Sequence, residues 1–133
     1  MAFVLDASVA VAWVVPSQAT GYAARIRVRA KRDSFHVPAI FPAEVANVIV
    51  TLKRRRVISE QAAAAATDVL SRLDPVIHPT KTSIAELQQL AVRYGLSAYD
   101  ATYLALAIEL KLPLACGDRP LKAVLPRAGV RLA

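Results

Sequence analysis

Four acidic residues stand alone in apolar sequence. Asp6 is the only charge between Met1 and Ala24, and Glu44 the only one between Ser34 and Leu52. Asp100 is the only charge in GLSAYDATYLALAI (95–108), and Asp118 is the first after Lys111. An ionised carboxylate among apolar neighbours needs hydrogen-bond donors or a cation to stay charged. Carboxylates brought together raise one another's pKa unless a divalent ion neutralises them. A carboxylate set without His or Cys suits Mg²⁺ or Mn²⁺ rather than zinc. Such an ion keeps waters, lowers the pKa of one of them and steadies charge on a phosphate under attack, which is the chemistry of phosphodiester hydrolysis. Each acid also has a plainer reading as a helix cap or dipole partner. Asp100, three residues after the N-cap Ser97, can reach back to the cap's own amide, and an acid at a helix start stabilises by about 0.3–1 kcal/mol.

The surrounding pattern decides whether the acids meet. Residues 2–5 form an apolar run that reads as a buried parallel strand with Asp6 at its carboxyl end, followed by a brief helix over 8–15 that Pro16 stops. A helix over 18–31 carries Arg25, Arg29 and Arg32 on one side. Residues 35–37 read as a second strand. Pro42 opens a helix through PAEVANVIVTLKRRR, placing Glu44 in its first turn and Asn47 one turn on. Ser59 caps a helix whose alanines 62–66 form a smooth face, and 76–77 read as a third strand. A helix over 83–94 ends at Gly95, and the Asp100 helix follows, with Leu104, Ala105, Ile108 and Leu112 on its buried stripe. Residues 112–116 are a fourth strand, Asp118 caps a short helix through 121–125, and 130–132 close the chain as a fifth strand. Alternating strands and helices predict one α/β domain over 1–133, a three-layer α/β/α sandwich around a parallel five-stranded sheet of order 3-2-1-4-5. In such a sheet ligands bind beyond the carboxyl ends of the strands. Asp6 and Asp118 follow adjacent strands, and Glu44 and Asp100 open helices whose N-termini lie at that same edge.

The chain has 133 residues, 56% of them hydrophobic, enough for one substantial core. Seventeen Lys and Arg against ten Asp and Glu give a formal charge of +7, which suits a polyanionic partner such as nucleic acid held by its backbone. The lone Cys116 excludes an intrachain disulfide and, with only His36 and His78, a structural zinc site; a reducing, cytoplasmic setting is expected. No signal peptide and no membrane span are read. The histidines and Cys116 are assigned structural roles, Tyr99 and Tyr103 core or groove packing, and Trp13 the core or a dimer surface.

Other folds with a strand-end Asp are weakened by what is missing. A phosphoryl-acceptor receiver wants a second acid beside the first, a dehalogenase-type phosphatase wants Asp-x-Asp where this chain has Asp6-Ala7-Ser8, and there is no Gly-rich phosphate loop. The stretches FVLDASVAVAW, FPAEVANVI, LSAYDATYLALA and LACGDRPL, in this order and spacing, resemble the motifs of PIN-domain ribonucleases, closely those of VapC-type toxins. The resemblance implies that Asp6, Glu44, Asp100 and Asp118 are the catalytic, metal-binding acids, with Ser8, Asn47 and Cys116 beside them. It further implies Mg²⁺- or Mn²⁺-dependent endonucleolytic cleavage of RNA, a homodimer, and a VapB antitoxin whose tail occupies the active-site groove. Cys116 stands where Thr or Ser is common in the family, and Arg119 and Pro120 add no acid beside Asp118. Arg25, Arg29, Arg32 and Arg119 are the candidate contacts to RNA or antitoxin. The rival reading is a non-catalytic nucleic-acid-binding or protein-interaction module of the same fold, its acids only capping helices.

Overall fold

The computed structural model describes residues 1–117 and 119–133. Its strands are β1 (Phe3–Leu5), β2 (Phe35–Pro38), β3 (Val76–His78) and β4 (Leu114–Ala115). The helices are α1 (Ala7–Ala12), α2 (Gly21–Ala30), α3 (Phe41–Arg54), α4 (Glu60–Ser71), α5 (Ile84–Tyr94), α6 (Ala98–Leu110) and α7 (Pro120–Val124). All strand pairs are parallel, in the order β3-β2-β1-β4. The central strand β1 is buried on both faces, as its unbroken FVL run requires.

The expected fifth strand is reduced to one parallel bridge between Leu114 and Leu132, so the sheet has four strands among the described residues. β4 is only two residues long, and Pro113 before it has no N–H to donate, so Leu114 alone pairs with the C-terminal segment: its amide donates to Arg131 O and its carbonyl accepts from Ala133 N. The first helix is also shorter than expected. Val15, held extended before Pro16, precedes a 3-10 turn over Pro16–Gln18. α7 starts at Pro120 with Arg119 in the capping position, where Asp118 was expected; Asp118 itself lies outside the described residues.

Local signals elsewhere act as their chemistry dictates. The hydroxyls of Thr20, Ser59, Ser83 and Ser97 each accept from the backbone amide three residues on, capping α2, α4, α5 and α6. Gly95 ends α5 in the left-handed conformation at φ 63°. Phe3 stacks on Phe35 and Trp13 meets Phe35 edge-on, with the indole N–H donating to Ala23 O at 2.8 Å, so the half-buried Trp13 packs against the core. Ala63 and Ala66 let α4 pack closely beside Val11, Val15 and Ile49. No helix among the described residues is long and apolar enough to cross a membrane.

Candidate active site

Asp6 is fixed by the sheet. Its amide donates to Ala115 O at 2.9 Å, extending the β1–β4 pairing by one residue, and the residue is 0% exposed. It occupies the capping position of α1, yet its carboxylate does not cap that helix. Instead Oδ2 accepts from the Ser8 hydroxyl and from Arg119 at 3.3 Å, while Oδ1 is buried without a partner. The capping explanation therefore fails for Asp6.

Asp100 is placed by α6. Its amide donates to Ser97 Oγ at 3.1 Å, and its Oδ1 accepts from Arg119 at 2.8 Å. At 5% exposed it is nearly as buried as Asp6. One guanidinium thus spans two carboxylates, one from the end of β1 and one from the start of α6. Glu44, half-buried in the first turn of α3, joins them; its Oε1 is buried and unpartnered. The buried Tyr103 hydroxyl, one turn after Asp100, faces Glu44 closely enough to affect its titration but not in hydrogen-bond geometry.

The electrostatics follow from this packing. Burial raises the pKa of Asp6, a shift that Asp100 reinforces and that Arg119 and Ser8 oppose. Burial also raises Glu44; Tyr103 counteracts this and the charges of Asp6 and Asp100 add to it. For Arg119 burial disfavours the cation, but Asp6, Asp100 and Glu44 outweigh burial and raise its pKa. The Cys116 thiol is pushed up to about 12 by burial and then by Asp6, which suits an inert buried residue rather than a nucleophile.

The structure thus brings Asp6, Glu44, Asp100 and Ser8 together, with Cys116 beside Asp6. Asn47 is exposed on α3, and no hydrogen bond joins it to the acids among the described residues. Arg29 does not present a free charge: its guanidinium lies 5.0 Å over the Phe3 ring and pairs with Asp33 at 2.9 Å. Arg25 lies over Tyr22 and Arg32 is exposed. Two residues gained roles that sequence reading did not assign. Tyr103 was detectable from its i, i+3 spacing to Asp100, which puts both on one helix face. Arg119 had no local signal for its partners. Among the described residues no three His, Cys, Asp or Glu side chains are arranged to hold a metal ion. The donor chemistry nonetheless fits one: an all-oxygen set in which Asp6 Oδ1 and Glu44 Oε1 are buried and lack any partner. A groove of about 1010 Å³ between α3 and α4 is lined by Phe41, Val45, Ile49, Ala63 and other residues but by none of these acids.

The family model of the PIN domain matches residues 3–124. Ribonuclease VapC1 of Mycobacterium tuberculosis is 33% identical over 93 residues, 70% of this chain and 69% of the relative, in both the CDC 1551 / Oshkosh and the H37Rv strains. Among solved structures, PAE2754 from Pyrobaculum aerophilum superposes with a TM-score of 0.57 at 26% identity, covering 92% of this chain and 86% of that one. VapBC2 from Rickettsia felis, bound to a promoter DNA fragment, superposes with a TM-score of 0.65 over 100% of this chain and 98% of that one; at 19% identity it speaks to the fold alone.

Proposed function

Since this chain belongs to the PIN-domain family and is of the VapC type, we propose that it is a metal-dependent endoribonuclease toxin, hydrolysing RNA phosphodiester bonds and neutralised by a VapB-type antitoxin. The observation that carries this reading is that Asp6 and Asp100, from two elements, share one guanidinium while Glu44 of a third lies near enough to feel both charges, with two of these carboxylate oxygens buried and orphaned. Capping accounts for none of that arrangement.

Asp6, Glu44 and Asp100 would hold Mg²⁺ or Mn²⁺, with Asp118 as a fourth acid. The ion, when bound, supplies a water of lowered pKa and charge stabilisation at the phosphate. Ser8 orients the Asp6 carboxyl by donating to Oδ2, which leaves Oδ1 for the ion. Burial raises the pKa of Glu44, so its carboxylate carries a desolvation cost that a bound cation would offset. The charge of +7 supports a grip on an RNA backbone, with Arg25 and Arg32 as exposed contacts. The named relatives support the ribonuclease activity. A homodimer is what the family likeness implies, and Ile84 and Val92 of α5 are exposed apolar side chains that such a contact could cover. A cytoplasmic location accords with the single reduced cysteine.

The test is incubation of the purified protein with structured and unstructured RNAs in Mg²⁺, Mn²⁺ or EDTA. Cleavage with either metal, abolished by EDTA and by Asp6→Asn or Asp100→Asn, is expected. Metal-independent cleavage, full activity in both variants, or RNA binding without cleavage rejects the reading, the last in favour of the binding module.

A further inference from the structure

The acids of the pocket already have a cation, and it belongs to the chain. Arg119 donates from Nη1 to Asp6 and from Nη2 to Asp100, a planar fork matched to two carboxylates. Among the described residues it is the only cation paired with either acid. We propose that Arg119 is the pocket's internal counter-ion, holding Asp6 and Asp100 together in the metal-free protein and competing with the divalent ion for their negative charge. The inference rests on the metal-dependent reading above.

The two acids and the arginine differ in how firmly they are held. Asp6 is tied into the sheet through Ala115, and Asp100 is capped into α6 by Ser97. Arg119 is 36% exposed and sits at the capping position of a five-residue helix, with no side-chain cap of its own. The carboxylates are therefore rigid and the cation is the part able to withdraw. Withdrawal without replacement leaves two buried charges uncompensated, which is costly. A guanidinium cannot ligate a metal ion and its charge repels one, so an ion on Asp6 Oδ1 and Asp100 would sit beside the same carboxylates that the fork engages, and each cation weakens the other's hold. This also explains why Asp6 Oδ1 and Glu44 Oε1 are left without partners: one fork can satisfy only two oxygens. Competition lowers the apparent metal affinity by the fraction of molecules in which Arg119 is withdrawn. The protein would then be charged with metal only above a threshold that its own side chain sets.

Calorimetric titration of the full chain with Mn²⁺, comparing wild type, Arg119→Gln and Arg119→Lys, tests the proposal alongside thermal melting in EDTA and in excess Mn²⁺. Loss of the competitor should tighten Mn²⁺ binding about tenfold in Arg119→Gln, with Arg119→Lys between because an ammonium lacks the two-armed fork. In EDTA Arg119→Gln should melt below wild type, with the gap closing in Mn²⁺. If wild type binds Mn²⁺ and Arg119→Gln binds it equally or more weakly, the competition is overturned while the metal-dependent reading stands. If no variant binds Mn²⁺, both fall. Should Arg119→Gln not fold, Arg119→Lys against wild type decides by the same ordering.

Discussion

The Ser97 hydroxyl accepts a hydrogen bond from the Asp100 amide at 3.1 Å, so the group that starts α6 also sets where the buried acid sits. Ser97→Ala removes the cap and should cost about 1 kcal/mol, lowering the melting temperature by roughly 4 °C. RNA cleavage should fall with it, while Ser97→Thr keeps both. Melting curves and initial cleavage rates check this; unchanged cleavage in Ser97→Ala would mean that Asp100 is positioned by other contacts.

Glu44 provides a stability test with a definite sign. Its pKa in the folded chain is raised above 4.5, chiefly by burial. A raised folded pKa means stability that is present below the unfolded value and lost as pH rises through the folded value. At pH 7, above the unfolded value, burial of Glu44 therefore costs stability, and Glu44→Gln should melt higher in EDTA. The lead should shrink toward pH 4.5 and reverse in excess Mn²⁺, where only the wild type gains fully from binding. Melting scans across pH with and without Mn²⁺ measure it. A Glu44→Gln protein that melts no higher in EDTA contradicts the arrangement.

His36 and His78 meet across the β2–β3 ladder, Nδ1 to Nε2 at 2.8 Å, a contact that accommodates one proton. Burial and then the neighbouring ring lower the pKa of His36 from 6.5. For a base with a lowered folded pKa, stability is present above the unfolded value and lost as pH falls through the folded one. The urea midpoint should therefore drop as pH falls below about 6.5, and His36→Gln should flatten that drop. An equally steep fall in the variant would assign it to other groups.

The basic side chains of α2 should separate by role. Arg29→Ala loses the contact over Phe3 and the pair with Asp33, and should cost about 1 kcal/mol. Arg32→Ala, at an exposed position, should change stability by less than about 0.5 kcal/mol. If Arg32 grips an RNA phosphate, its loss lowers the salt slope of binding to single-stranded RNA by about 0.7. Denaturation and salt-dependent RNA titrations distinguish the two, and an unchanged slope removes Arg32 from the interface.

Isolated charges in apolar sequence are legible because burying an unsatisfied carboxylate is so costly that it marks a designed position, and Asp6, Glu44 and Asp100 were readable on that ground. Ser97 and Gly95 were readable for a different reason: caps act over a few residues and depend on side-chain type. The fifth strand was not, because whether 130–132 pair depends on how many residues of β4 remain available opposite them. Tyr103 was assigned to packing correctly, as it is 0% exposed, but its hydroxyl's position beside Glu44 depends on how α6 crosses α3.

The sequence by itself determined that acids stand at a strand end and at helix starts, because local periodicity, caps and prolines act within a turn or two. Only the tertiary structure decided what those acids meet. Arg119 reaches Asp6 across 113 positions and Asp100 across 19, and no local rule links them. Which cation faces a buried anion is set by the order in which strands pair and helices pack, a property of the whole chain.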